Sequence, residues 1–267
     1  MVKQIINAFL ISFLSTPNMV SELGKKMILW GVFISGGGIL GSYLIWIWKG
    51  CRSWMPHISD FDLAQPESTI FSITSTLAPI LIILGLIDRY KVKKQWFKNN
   101  NIQKNAMKLE FSILIIGVFC CVVLIGIGYF TWDEYVEIHG LLAGIFFNVG
   151  VIWCIIILFS SFAWSQYIPD YEWLFKIRLI GTLTAIIGLI AFSIQGLRIL
   201  NKGIFDKSHN VFVGKYIEST KNHELFCKTT WDPMLNWHAG FEWVLVFGIT
   251  IVAFTLALEK LMIHEQE

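Results

Sequence analysis

Charged side chains are scarce in this chain of 267 residues, at 15% Asp, Glu, Lys and Arg. A soluble domain usually carries about 25%. With 55% hydrophobic residues and a mean hydropathy of +0.62, there is too little polar surface to cover a water-facing globule. A disordered chain, a nucleic-acid binder and an ordinary cytosolic enzyme are excluded together. Cysteine is sparse too: five residues with no C-x-x-C pair rule out a zinc ribbon or a disulfide-rich scaffold. The sequence also lacks an H-E-x-x-H pattern, an N-x-S/T sequon, internal repeats and low-complexity tracts other than Asn99–Asn101. Net charge is uninformative, with 21 basic and 19 acidic residues; in a membrane the placement of charge matters more than its sum.

What is present is a set of long apolar runs. A membrane-spanning helix needs about 20 such residues. Six stretches qualify: Met27–Trp48, Thr69–Ile87, Leu109–Phe130, Ile138–Trp164, Leu174–Leu200 and Leu235–Ile263. The expected fold is therefore an all-α membrane protein, a single six-helix transmembrane domain over residues 27–263. Residues 1–26 precede it and a short tail, 264–267, follows. Pro79 should kink the second span, with Ser72, Thr74, Ser75 and Thr76 nearby to satisfy freed carbonyls.

Between the second and third spans, Arg89, Lys91, Lys93, Lys94, Lys98, Lys104 and Lys108 oppose a lone Asp88. Such a loop is expected in the cytoplasm. Lys3, Lys25 and Lys26 put the N-terminus on the same side, and an even number of spans returns the C-terminus there. Residues 49–68, 131–137 and 201–234 then face the lumen or exterior. Ile5–Leu14, an apolar run closed by Pro17, reads as a short interfacial helix rather than a signal-peptide core.

Ionisable groups inside a membrane are costly and so are functional candidates. Most are expected toward the luminal end. His139 opens the fourth span, Arg198 ends the fifth, and His238 and Glu242 share one helical face at the start of the sixth. His57, Asp60, Asp62 and Glu67 occupy the first luminal loop. These groups form either a structural polar network or, on a sharper reading, a ligand or metal site. The structural network is taken here, with no metal and no cofactor assigned. Asn148 and Gln195 read as amides bonding across helices. Gly36, Gly37, Gly38 and Gly41, with Gly140 and Gly144, read as close packing inside the bundle.

Cys120, Cys121 and Cys154 fall within spans and should be reduced, buried small hydrophobes. Cys51 and Cys227 both fall on the luminal side, where disulfides persist. They are expected to pair, tying the first loop to the last. On the opposite side, Arg89, Lys91, Lys93, Lys94 and Lys98 interleave with Trp96 and Phe97. That patch is a candidate contact for anionic lipids such as phosphoinositides, at about 1 kcal/mol per basic residue near the surface.

The first luminal loop reads Trp54-Met55-Pro56-His57-Ile58-Ser59-Asp60, then Gln65-Pro66-Glu67 directly before the second span. This resembles the P-Y-I-S-D…P-E signature of the damage-regulated autophagy modulator (DRAM) family and its fasting-induced transmembrane relatives. These belong to a superfamily with FGF-receptor-activating protein and the Cwh-type N-terminal domain. His139, Trp231-Asp232-Pro233 and Glu242-Trp243 recur in the expected order. His57 stands where the autophagy proteins have Tyr, and Phe61-Asp62 replaces Thr-Gly. The resemblance singles out Pro56, Ile58, Ser59, Asp60, Pro66 and Glu67 as the loop motif, with no catalytic residue. It implies a six-helix protein of lysosomal, other endomembrane or plasma membranes.

The leading expectation is a non-enzymatic protein that regulates autophagy or organises a membrane complex containing phosphoinositides. The alternatives are a luminal-leaflet lipid handler, as in GPI-anchor remodelling, and an auxiliary subunit bound to a protein partner. Membrane lipids are partners on every reading; nucleic acid is not.

Overall fold

A computed structural model of the chain describes residues 17–99, 104–165, 172–201, 223–228 and 233–264. In order they form α1 (Pro17–Trp48), a 3-10 turn (Ile58–Asp62), α2 (Glu67–Asn99), α3 (Lys104–Tyr129), α4 (Val136–Ser165), α5 (Glu172–Asn201), the short α6 (His223–Lys228) and α7 (Pro233–His264). There is no strand among the described residues. Six helices, α1–α5 and α7, are long and apolar enough to cross a membrane. The interfacial helix expected at Ile5–Leu14, most of the 201–234 loop with Trp231 and Asp232, and the end of the tail lie outside the described residues.

The helices close into a ring. Each packs on its sequence neighbour from α1 to α5, α5 packs on α7, and α7 returns to α1 while also touching α4. Ile28, Leu86, Ile113, Cys154, Leu245 and Val252 meet at the centre, each almost fully buried. Lipid is as apolar as leucine, so close van der Waals packing rather than water exclusion must hold such helices together. The α5–α7 seam shows how. A Cβ placed on Gly188 would stand 2.6 Å from the Leu245 amide nitrogen, and one on Gly248 would stand 2.5 Å from that of Ala185. Only a hydrogen fits at either point.

The small-residue stripes picked from the sequence are different ones. Gly36, Gly37, Gly41, Gly140 and Gly144 have open space where a side chain would go. Spacing alone does not say which face of a helix points inward, and here these faces point outward. Gly38 does pack inside, against Thr74. Asn148 is exposed and its amide donates to Gly144 of its own helix at 2.8 Å rather than across helices.

The second helix outruns its apolar stretch. Beyond Ile87 it continues to Asn99, because Asp88, Arg89, Lys93 and Phe97 recur on one face and are buried. The basic loop is mostly helix. Pro79 lies inside α2, and the Thr74 and Ser75 hydroxyls both bond the Phe71 carbonyl, at 2.9 and 2.7 Å.

Candidate functional site

The site is built at the end of the ring that carries Cys51. Gly50 takes φ of +76°, a conformation open to glycine at little cost, and turns the chain out of α1. Cys51 is disulfide-bonded to Cys227 with Cα atoms 4.9 Å apart. The Arg52 amide donates to the Cys227 carbonyl at 3.0 Å. From there the loop crosses the bundle end. Trp54 Nε1 donates to Asn236 O and Trp243 Nε1 to Pro56 O, each at 2.7 Å. The 3-10 turn follows, capped by Asp60, whose carboxylate accepts from the His57 amide at 3.0 Å. Phe61, fully buried, meets the rings of Trp46 and Trp243 edge-on. Lys49 pairs with the buried Glu67 at 2.6 Å. Pro66 is exposed and follows a cis peptide bond.

Beneath this cap lies an apolar cavity of about 220 Å³. Its lining includes Val32, Phe71, Cys121, Phe147, Trp153 and Ile249, together with His57, Ile58 and Ser59 of the cap loop and His139 and Glu242 at the cap ends of α4 and α7. Glu242 Oε2 accepts from the Ile58 amide at 3.3 Å. His57 Nε2 lies 2.9 Å from His238 Nδ1, and the His238 ring stacks on Phe192 at 3.8 Å. His139 Nδ1 lies 2.6 Å from the Phe130 carbonyl. A carbonyl only accepts, so Nδ1 carries the proton and Nε2 is left as an acceptor in the neutral ring. Burial, then the neighbouring His238 and Arg52, push the His57 pKa down to about 3, so this ring is neutral at physiological pH. In the same 3-10 turn, burial raises the Asp62 pKa to about 7, helped by Asp133.

The fold thus brings His57, Ser59, His139 and Glu242 to one cavity, with His238 behind His57. Asp60, Pro66 and Glu67 shape the cap. Arg198 does not join: it is exposed and makes no ion pair with the described residues. It points away because the inward face of α5 at this level is held by Phe192 and Ile199. Among the described residues no group of three or more His, Cys, Asp or Glu is placed to hold a metal ion.

At the opposite end the sequence reading missed a second polar centre. Glu110 is buried and accepts from Arg89 Nη1 at 2.7 Å, Lys93 Nζ at 3.0 Å, Ser160 Oγ at 2.5 Å and Trp164 Nε1 at 3.0 Å. Lys93 also sits over the Trp164 ring, 4.3 Å from its centroid. Arg178, fully buried, bonds Ser161 and Thr255. Arg89 and Lys93 therefore leave the proposed lipid-facing set, since both are buried against Glu110; Lys91, Lys94 and Lys98 are exposed. The signal was the i, i+4 spacing of Arg89 and Lys93, with Glu110 and Arg178 set inside apolar runs.

A comparison with protein families finds a match to the Frag1/DRAM/Sfk1/Cwh43P N-terminal domain over residues 26–259. Neither curated proteins nor solved structures gave a match. The match spans all six helices and the cap with its Pro56–Glu67 motif. The chain is a six-helix integral membrane protein that belongs to the Frag1/DRAM/Sfk1/Cwh43P N-terminal domain family.

Proposed function

We propose that this protein binds a membrane lipid, drawing one chain into the central cavity and keeping the head at its His57–His139–Glu242 end. One observation carries this reading. An apolar cavity runs down the middle of the bundle, and its histidine and carboxyl lining residues, His57, His139 and Glu242, all come from the cap loop and the cap ends of α4 and α7, the layout of an amphiphile. Between Glu242 and Ala253, both in its lining, α7 rises roughly 16 Å at about 1.5 Å per residue. Of the two main expectations, lipid handling is the better supported, since a purely structural network would be packed solid. Autophagy regulation, or organisation of a lipid complex, would then be the consequence of holding that lipid.

The charge pattern puts the cap in the lumen or exterior and the Glu110 end in the cytoplasm. The Cys51–Cys227 disulfide fits an oxidising space at the cap. Lysosomal, other endomembrane or plasma membranes satisfy this topology. Lys91, Lys94 and Lys98 then face the cytoplasmic leaflet, where anionic phosphoinositides would meet them.

The test is photo-cross-linking of the purified protein in lipid nanodiscs with a long-chain probe carrying a diazirine at mid-chain. Labelling should map to peptides that line the cavity, such as those holding Cys121 and Phe147. Ala143, in the wall, offers the control: Ala143→Phe should cut labelling while the Cys51–Cys227 disulfide still forms. Labelling confined to outward-facing residues would overturn the reading.

A further inference from the structure

Resting on the lipid-binding reading, we infer that the lipid chain enters the cavity sideways from the bilayer core, through a window between α1 and α7 that Gly36 keeps open. Two aromatic pairs bound the window. Tyr43 meets Trp243 edge-on at 5.7 Å and Phe33 meets Phe254 edge-on at 6.2 Å. Along either helix the two contacts stand roughly 15 Å apart at 1.5 Å per residue. Helical geometry points Gly36 and Leu40 to within about 20° of the direction shared by Phe33 and Tyr43, and Phe247 and Thr250 to within about 30° of that shared by Trp243 and Phe254. In a closed seam such stripes are buried. Here Leu40 is 54% exposed and Phe247 63%, and a Cβ on Gly36 would meet nothing within 4 Å. Just inside, Ser35 and Ile39 of α1 and Val246 and Thr250 of α7 line the cavity, so the gap leads into it.

The other seams of the ring are shut at this level. Gly38 of α1 packs on Thr74 of α2, Gly128 of α3 on Ser75 of α2, and Gly117 of α3 on the Trp153 indole of α4. Phe147 of α4 meets Phe192 of α5 edge-on at 5.4 Å, and Gly188 and Gly248 bring α5 and α7 backbone to backbone. The cap covers the end, held by the Trp54 and Trp243 indoles. Trp243 adjoins Glu242 in the chain, so the upper contact stands at head level and the window below it at chain level. Its rim, Leu40 and Phe247, is apolar and suits an acyl chain.

The experiment follows entry in time on the full chain in nanodiscs. The mid-chain diazirine probe is added from phosphatidylcholine vesicles and samples are illuminated at intervals. Labelling of outward-facing peptides clocks the arrival of probe in the disc, and labelling of the Cys121 and Phe147 peptides reports entry. Gly36→Phe should slow entry at least about fivefold, the low end of what an overpacked side chain costs, with the final level unchanged. Leu40→Trp on the same stripe should slow it too, and Gly36→Ala, which adds one methyl, should stay near native. Gly140→Phe is the control, since Gly140 is equally open but lies on α4. Native entry rates in both Gly36→Phe and Leu40→Trp, with the Cys51–Cys227 disulfide formed, would overturn the window and leave the lipid-binding reading intact. So would equal slowing by Gly140→Phe, or a lower final level at an unchanged rate, which would put the new ring in the cavity itself. No cavity labelling of the native chain at any time would remove both readings.

Discussion

Replacing Glu110 by glutamine tests whether the second polar centre closes the bundle. The substitution keeps volume and removes one charge. Four donors point at this carboxylate from α2 and α4, two of them the buried cations Arg89 and Lys93. In the variant, those cations have lost their shared anion, and the new amide turns a donor toward other donors. Breaking a buried ion pair by removing one partner costs about 3–5 kcal/mol, because the remaining charge stays desolvated. Lys93→Met should cost less, since the Arg89–Glu110 pair survives it. The double variant Glu110→Gln/Lys93→Met should recover part of the single-variant loss by removing one of the two buried cations that faced the carboxylate. The assay is reversible unfolding in mixed micelles, followed by fluorescence of the 12 tryptophans. A loss under about 1 kcal/mol for Glu110→Gln, the range of solvent-exposed pairs, would show this end to be flooded by water and refute the reasoning.

Other perturbations separate the seams. Gly248→Ala drives a methyl toward the Ala185 backbone on α5, where neither chain yields, and should destabilise by roughly 1–3 kcal/mol in the same unfolding assay. Gly144→Ala meets open space and should be neutral or stabilise by up to about 1 kcal/mol through helix propensity. Cys51→Ser should cost about 2–4 kcal/mol, and the native protein should lose a similar amount when reduced, read from paired melts with and without reductant. Asp62 gives a pH test. Its pKa is raised from an ordinary 3.8 to about 7 by burial and then by Asp133. The folded state therefore holds the proton more tightly, and this contribution is complete below the unfolded value and lost as pH rises through 7. Asp62→Asn removes that loss. Its stability advantage over the native chain should be larger at pH 8 than at pH 5, growing by at most about 1.4 kcal/mol per unit below pH 7; an advantage independent of pH would refute the assignment.

Span number and fold class were legible because a membrane demands long apolar helices, and that demand is written in composition. The pairing of Cys51 with Cys227 followed from topology, as both belong to one side. The cap motif was visible as a string of residues, but its mechanics were not. That Trp243 anchors the Pro56 carbonyl and Phe61 fills the gap between Trp46 and Trp243 depends on how α1 and α7 face each other. Rotation about the helix axis is the quantity the sequence carries least well in a bilayer, because inward and outward faces are both apolar. This is why Gly140 and Gly144 read as packing residues yet point outward, and why Arg198 read as a member of the luminal polar cluster yet is exposed outside the cavity lining. The same ambiguity hid Glu110. A basic run beside it reads as a topology signal, and only the continuation of α2 to Asn99 turns Arg89 and Lys93 inward to meet it.

The two ends handle buried polarity in opposite ways, and the contrast bears on function. At the Glu110 end each oxygen of the carboxylate faces a cation, and hydroxyl and indole donors complete the set. Such a centre leaves no capacity for a guest; it fixes the register of α2, α3 and α4. At the cap, Glu242 is met by a single backbone amide and His139 by a single carbonyl, and both open on a cavity. Polar groups with single partners at one end, beside apolar walls and away from a closed base, are the arrangement that a bound amphiphile completes. If so, filling the cavity should stabilise the cap more than the base. A bound long-chain probe should slow hydrogen exchange at the Ile58 and Asp60 amides while leaving the Arg89–Lys93 stretch of α2 unchanged; equal protection at both ends would point to general stiffening by the lipid bath instead.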